Sequence, residues 1–170
     1  RLVNKLLKKK IAELSEGAVI INLERYNLPI FLLLKKDGTS LYSTKDIALA
    51  KTKFSKFKID KSIYVVADEQ KLYFQQLFKT LEIIGFKQAK DCYHLPYALV
   101  MLDSGKMSSR EGNITKFSDL YNEILNFSIK ETSKRHKDWG NKKIESISQK
   151  ICLGALKFSM ICQDNNKVII

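Results

Sequence analysis

The sequence predicts an α/β fold: a parallel sheet covered by helices, followed by a purely helical segment. Three observations carry this reading. A β-branched and aromatic run, Ser62 to Ala67, precedes a long amphipathic stretch, Asp68 to Ile84, and a second extended run follows from Tyr93 to Leu102. Strand, helix and strand in that order form a crossover unit, which requires parallel strands with a helix on the sheet. After Thr115 the strand signal stops and two long helical patterns replace it. This shift predicts a boundary near residue 116, with one domain over 1–116 and a helical segment over 117–170.

The elements follow in order. Leu2, Leu6, Leu7, Ile11 and Leu14 recur at helical spacing, so a helix is expected from Leu2 to Leu14, stopping at Glu16-Gly17. Ala18 to Leu23 and Ile30 to Leu34 are short apolar runs that read as strands. Lys36-Asp37-Gly38-Thr39 is a hairpin turn, with Ser40-Leu41-Tyr42 as the returning segment. Ser43 or Thr44 could then cap a helix running through Asp46, Ile47, Ala48 and Ala50. In the helix from Asp68 to Ile84, Leu77, Phe78, Leu81 and Ile84 form the apolar side, and Gly85 occupies the position where helices turn left-handed. Ser118 to Lys134 and Asn141 to Ile161 are the two later helices, joined by a polar linker from Arg135 to Gly140.

The chain has 170 residues, 45% of them hydrophobic, which excludes disorder as the default. Lys and Arg number 30 against 18 Asp and Glu, a net charge of +12. Such an excess suits a polyanionic partner, or a surface simply rich in solvated lysines; charge alone does not choose. Cys92, Cys152 and Cys162 are odd in number and widely spaced, which argues for a reducing, cytoplasmic setting over a disulfide framework or a metal site. No apolar stretch is long enough for a membrane span. The start, Arg1-Leu2-Val3, reads as the interior of a longer protein.

Four places carry candidate chemistry, three of them at strand ends and helix starts, where open α/β sheets hold their ligands. At Tyr42-Ser43-Thr44-Lys45-Asp46, an aromatic precedes a carboxylate expected in the first turn of a helix. Asp46 either serves the helix dipole or forks a guanidinium or ammonium, with Tyr42 packed on its aliphatic stem. At Asp68-Glu69-Gln70, Asp68 is expected to cap the helix, while Gln70 can present its amide carbonyl to a cation; Gln75 is a partly buried support or a solvated position. His94, with Tyr97, is a hydrogen-bonded core residue or a ligand contact. The stretch Gly105-Lys106-Met107-Ser108-Ser109-Arg110-Glu111-Gly112 follows an apolar run. Its glycines permit bending, its cations and hydroxyls suit phosphate oxygens, and Met107 could pin a closed state; otherwise it is a solvated surface loop. His136 carries no signal, Trp139 and Phe158 read as helix-packing residues, and the lysine clusters at 8–10 and 51–61 read as solvated faces.

Taken together, these residues resemble the arginyl family of class I aminoacyl-tRNA synthetases. The resemblance rests on Asp37 to Ala48, on Tyr64 to Gln70, on Phe74-Gln75, on His94 and on Gly105 to Gly112, with Leu153 to Phe158 similar to the family's helical segment. It runs from about Gly17 to about Phe158. It implies the second half of a Rossmann-like catalytic domain, followed by helices leading to an anticodon-binding domain. It also implies ATP-dependent activation of L-arginine, with Mg2+, and transfer to tRNA(Arg) by a monomeric cytoplasmic enzyme. Tyr42, Asp46 and Gln70 would then bind arginine; His94, Val100, Lys106 and Met107 would bind ATP. Lys106, Ser108, Ser109 and Arg110 would form the K-M-S-K-S-type loop, with no resident metal.

The chain departs from the family pattern at four points. Ser109 stands at the loop's second lysine, Lys45 replaces an arginine, Ala98 replaces a glycine, and no H-I-G-H-type motif occurs. The resemblance therefore also implies inactivity without a missing N-terminal half. Two alternatives remain: another class I synthetase, which would not need an aspartate at 46, or a non-catalytic basic RNA-binding module.

Overall fold

The computed structural model describes residues 2–101, 105, 107, 112 and 114–169. The chain divides into two compact units, Arg1–Tyr97 and Ala98–Ile170. The first begins with helix α1 (Leu2–Lys8) and strands β1 (Glu13–Ser15), β2 (Ala18–Ile21) and β3 (Phe31–Leu34). It continues through α2 (Tyr42–Phe57), β4 (Ser62–Ala67), α3 (Lys71–Ile83) and β5 (Cys92–Tyr97). The second unit contains α4 (Phe117–Arg135) and α5 (Asn141–Ile161).

The crossover unit forms as expected. Strands β4 and β5 pair in parallel, Ser62 opposite Cys92 through Ala67 opposite Tyr97, with α3 as their connection. Alternation decides what each face does: Tyr64, Val66 and His94 turn inward, while Ile63, Val65, Tyr93, Leu95 and Tyr97 are exposed. Helix α3 covers the inner face through Phe74 and Phe78, whose rings lie 5.1 and 5.5 Å from that of Tyr64. Its end closes as the sequence suggests. Gly85, at φ +75°, donates its N–H to Glu82, and Phe86 donates to Leu81, a Schellman pair that satisfies the last carbonyls.

The antiparallel sheet β1-β2-β3 stands beside the parallel pair and was not legible as a sheet. The first helix is shorter than its apolar spacing predicts. It ends at Lys8, Lys10 adopts φ +55°, and Glu16-Gly17 turn the chain so that Leu14 pairs with Val19. Leu14, expected on a core-facing helix, is 71% exposed on β1.

The last strand also differs. Pairing with β4 ends at Tyr97, and residues 98–101 bond instead to the chain's tail, through Ala98 N–H to Asn165, Met101 N–H to Ile169 and Ile169 N–H to Leu99. The core of the first unit joins Ile21, Leu23 and Leu33 of the sheet region to Ile47 and Ala50 of α2 and to Leu77 and Leu81 of α3.

Candidate functional site

Helix α2 is seated on β3 by hydroxyls. Ser43 Oγ donates to the Leu32 carbonyl, and Thr44 Oγ1 donates to that of Leu33 at 2.7 Å. Neither caps the helix, as the sequence had suggested; the N-cap is Leu41, with no side-chain bond. The returning segment places this start: Leu34 bridges Ser40, and the Leu41 N–H donates to Leu33. Gly38, at φ +78°, makes the turn. The chain therefore leaves β3, reverses and enters α2 at Tyr42.

This entry point corrects the position of Asp46. It is the fifth residue of α2, beyond the first turn. A macrodipole acts mainly within the terminal turn, so it gives little reason for a carboxylate here. Tyr42 and Asp46, four residues apart, share one face. Tyr42 is 79% exposed. Asp46 is half-buried, and Tyr73 of α3 donates its hydroxyl to Asp46 Oδ2. Burial first, and then this hydrogen bond, push the Tyr73 hydroxyl far above the ordinary tyrosine range, so it remains a neutral donor. Beside the pair runs an open groove of about 310 Å³, lined by Ile30, Phe31, Leu41, Tyr42, Tyr73 and Gln76 among others. A carboxylate held next to an apolar groove can receive a cationic side chain whose stem packs along the wall.

Gln70 is exposed at the N-cap of α3, with no side-chain capping bond, three residues before Tyr73. Asp68 is not a cap either; it opens a short 3-10 turn, Asp68–Gln70, and caps no helix with its side chain. The buried glutamine is Gln76, not Gln75. Gln76 Nε2 spends both hydrogens, donating at 3.0 Å to Pro29 and at 3.0 Å to Ile30. Sequence reading missed Gln76 and Tyr73; both follow from the apolar turn Tyr73-Phe74-Leu77 once α3 is known to face β3.

His94 lies in the middle of β5. Its Nε2 is 2.9 Å from the Val66 carbonyl, to which it donates, and its ring stacks on Phe74 at 4.4 Å. A carbonyl only accepts, so Nε2 carries the proton of this bond. A second groove of about 310 Å³, lined by Phe74, Gln75, Phe78, His94 and Pro96 among others, opens beside it.

Val100 and Met107 belong to the second unit, where Val100 bridges Ile169. Lys106, Ser108, Ser109 and Arg110 lie outside the described residues. The bracketing glycines are described: Gly105 at φ +112° and Gly112 at φ +71° occupy the region glycine enters without a Cβ clash. Among the described residues, no three His, Cys, Asp or Glu side chains group to hold a metal ion, and no helix is long and apolar enough to cross a membrane. All three cysteines are free.

In the second unit Trp139 stacks on His136 at 3.8 Å and receives Lys143 Nζ over its ring at 3.9 Å. Of the lysines at 51–61, Lys53 sits 4.0 Å over the Tyr64 ring, so part of that charge is structural.

Residues 1–168 match the sequence profile of a family described as tRNA synthetases class I (R), catalytic domain. The arginine–tRNA ligase of Bdellovibrio bacteriovorus is 43% identical over 169 residues, covering 99% of this chain and 29% of that protein. The Clostridium perfringens arginine–tRNA ligase is 36% identical over 170 residues, 100% of this chain and 30% of its own length. This chain thus spans about three tenths of the curated relatives it matches. Two solved structures share the fold. Thermus thermophilus arginyl-tRNA synthetase has a TM-score of 0.81 at 21% identity, over 99% of this chain and 34% of its own. The Plasmodium falciparum enzyme has a TM-score of 0.79 at 19% identity, over 98% and 28%.

Proposed function

Because the chain belongs to the arginyl family of class I aminoacyl-tRNA synthetases, we propose that it is the arginine-selecting part of an arginine–tRNA ligase. In that reaction the arginine carboxylate attacks the α-phosphate of ATP, releasing pyrophosphate and forming arginyl-adenylate. A terminal ribose hydroxyl of tRNA(Arg) then takes the arginyl group. The observation that carries the reading is Asp46, held by Tyr73 on the face it shares with Tyr42, where the helix dipole offers no other reason for it.

In this proposal Tyr42, Asp46 and Gln70 bind the arginine side, and His94, Val100, Lys106 and Met107 bind ATP. Lys106, Ser108, Ser109 and Arg110 close on the triphosphate. Catalysis is then mainly positioning, with charge stabilised on phosphate oxygens. Mg2+ enters with the triphosphate as part of the substrate. Residues 1–116 form the second half of the catalytic domain, and 117–170 lead towards an anticodon-binding domain. The proposed setting is a monomeric enzyme in the cytoplasm; the three unpaired thiols suit a reducing compartment.

We also propose that these 170 residues do not form the adenylate alone. Parallel sheets are normally covered on both faces, yet Ile63, Val65, Tyr93, Leu95 and Tyr97 form an exposed apolar face on β4 and β5. The relatives are more than three times as long. Amino-acid-dependent ATP–pyrophosphate exchange, with tRNA present, tests both points. The full-length enzyme should exchange with arginine alone among the amino acids, and the 170 residues should not. Exchange with a different amino acid overturns the assignment; exchange by the 170 residues overturns the dependence on further sequence.

A further inference from the structure

We infer that Tyr73 is a positioning residue for guanidinium recognition: its hydroxyl fixes the plane of the Asp46 carboxylate, so that the site favours arginine over lysine. This rests on the proposal that Asp46 receives the arginine side chain. An aspartate on a helix turn rotates broadly about its terminal torsion. Here one oxygen, Oδ2, accepts from Tyr73, and that donor is itself fixed. The Tyr73 ring packs at 5.7 Å against Phe31 and edge-on at 5.4 Å against Phe74. Gln76, one turn further along α3, ties the helix to the Pro29 and Ile30 carbonyls. The hydroxyl therefore holds the carboxylate against both β3 and α3.

The chemistry of the two cations then separates. A guanidinium forks both oxygens at once and needs them in its own plane; an ammonium is a point charge that accepts any approach. With one lone pair of Oδ2 occupied, the other and both on Oδ1 remain for the fork. A neutral donor also orients Asp46 without cancelling its charge, which a lysine or arginine at position 73 would do. The hydroxyl keeps its proton because burial and Asp46 both oppose its ionisation.

The test uses the full-length enzyme with Tyr73→Phe, which keeps the ring and removes only the hydroxyl. Exchange kinetics should show KM for arginine rising about 10- to 30-fold, the lower part of the range for one lost charge-assisted hydrogen bond. KM for ATP should be unchanged. The inhibition constant of lysine should rise about 3-fold or less, so that arginine-to-lysine discrimination falls. An unchanged arginine KM, or equal rises for arginine and lysine or for arginine and ATP, would overturn the role. Asp46→Asn, measured in parallel, separates the two levels. If it too leaves arginine KM unmoved, the underlying assignment fails; if it alone raises that KM, only the role of Tyr73 fails.

Discussion

The two compact units bury different kinds of residue. In the first, branched aliphatics from four elements are fully enclosed: Ile21 of β2, Leu33 of β3, Ile47 of α2, and Leu77 and Leu81 of α3. In the second, the seam between α4 and α5 is made of Ser128, Thr132, Ser148 and Cys152, with Ile144 and Leu156 as its aliphatic members. Ser128 Oγ donates across it to the Ser148 carbonyl at 3.3 Å. Small side chains let two helices approach closely but remove little apolar area from water. Phe127 and Ile151 stay outside, 67% and 51% exposed, along a groove of about 470 Å³. The first unit thus has a core that can hold a carboxylate in a fixed place. The second is a helix pair with a thin seam.

This contrast can be broken from both sides. The largest effect belongs to Leu81→Ala, which should cost about 2–5 kcal/mol, as buried leucine truncations do. Amide exchange should accelerate in β2, β3 and α3 and leave α4 and α5 unchanged; equal acceleration would show that the units do not unfold separately. A smaller effect comes from alkali. The folded first unit keeps the Tyr73 proton well above the ordinary tyrosine range, and burial raises Tyr64 too. Below about pH 10 both states are protonated and the stabilisation is intact. Above it the unfolded chain loses the Tyr73 proton that the folded unit retains, so stability falls by up to about 1.4 kcal/mol per pH unit for that group, with Tyr64 acting in the same direction. Tyr73→Phe should flatten a denaturant-against-pH curve by one proton; an unchanged slope would contradict the burial of that hydroxyl. Smallest is Phe127→Ser, expected within about 0.5 kcal/mol because the ring is already in water. A loss above about 2 kcal/mol would mean that the helix-pair surface is not free.

Where local chemistry decides structure, the residues could be read directly. The strand Ser62–Ala67, the helix Asn141–Ile161 and the glycine closure after Ile83 stand where sequence spacing places them. Local signals failed where a distant partner wins. Leu2 to Leu14 has helical spacing, but pairing of Leu14 with Val19 outweighs it, and the left-handed Lys10 cuts the helix. Ser43 and Thr44 have the composition of caps; the Leu32 and Leu33 carbonyls, eleven residues back, take their hydroxyls instead. The candidate site divides the same way. Tyr42 and Gln70 could be singled out by their place at element starts; Asp46, expected on the same ground, lies one turn further into α2. Tyr73 could not, because its partner lies 27 residues away and only the packing of α2, β3 and α3 brings them together. Lys106, Ser108, Ser109 and Arg110 remain expectations from sequence.

The most direct measurement is ATP–pyrophosphate exchange by the full-length enzyme carrying Asp46→Asn, with tRNA present and both substrates varied. If Asp46 receives the guanidinium, KM for arginine should rise about 100-fold, the scale of losing one partner of a partly desolvated charge pair. KM for ATP should stay within about 3-fold. Equal changes in both would contradict the account, and Asp46 would then be no more than a support of the fold.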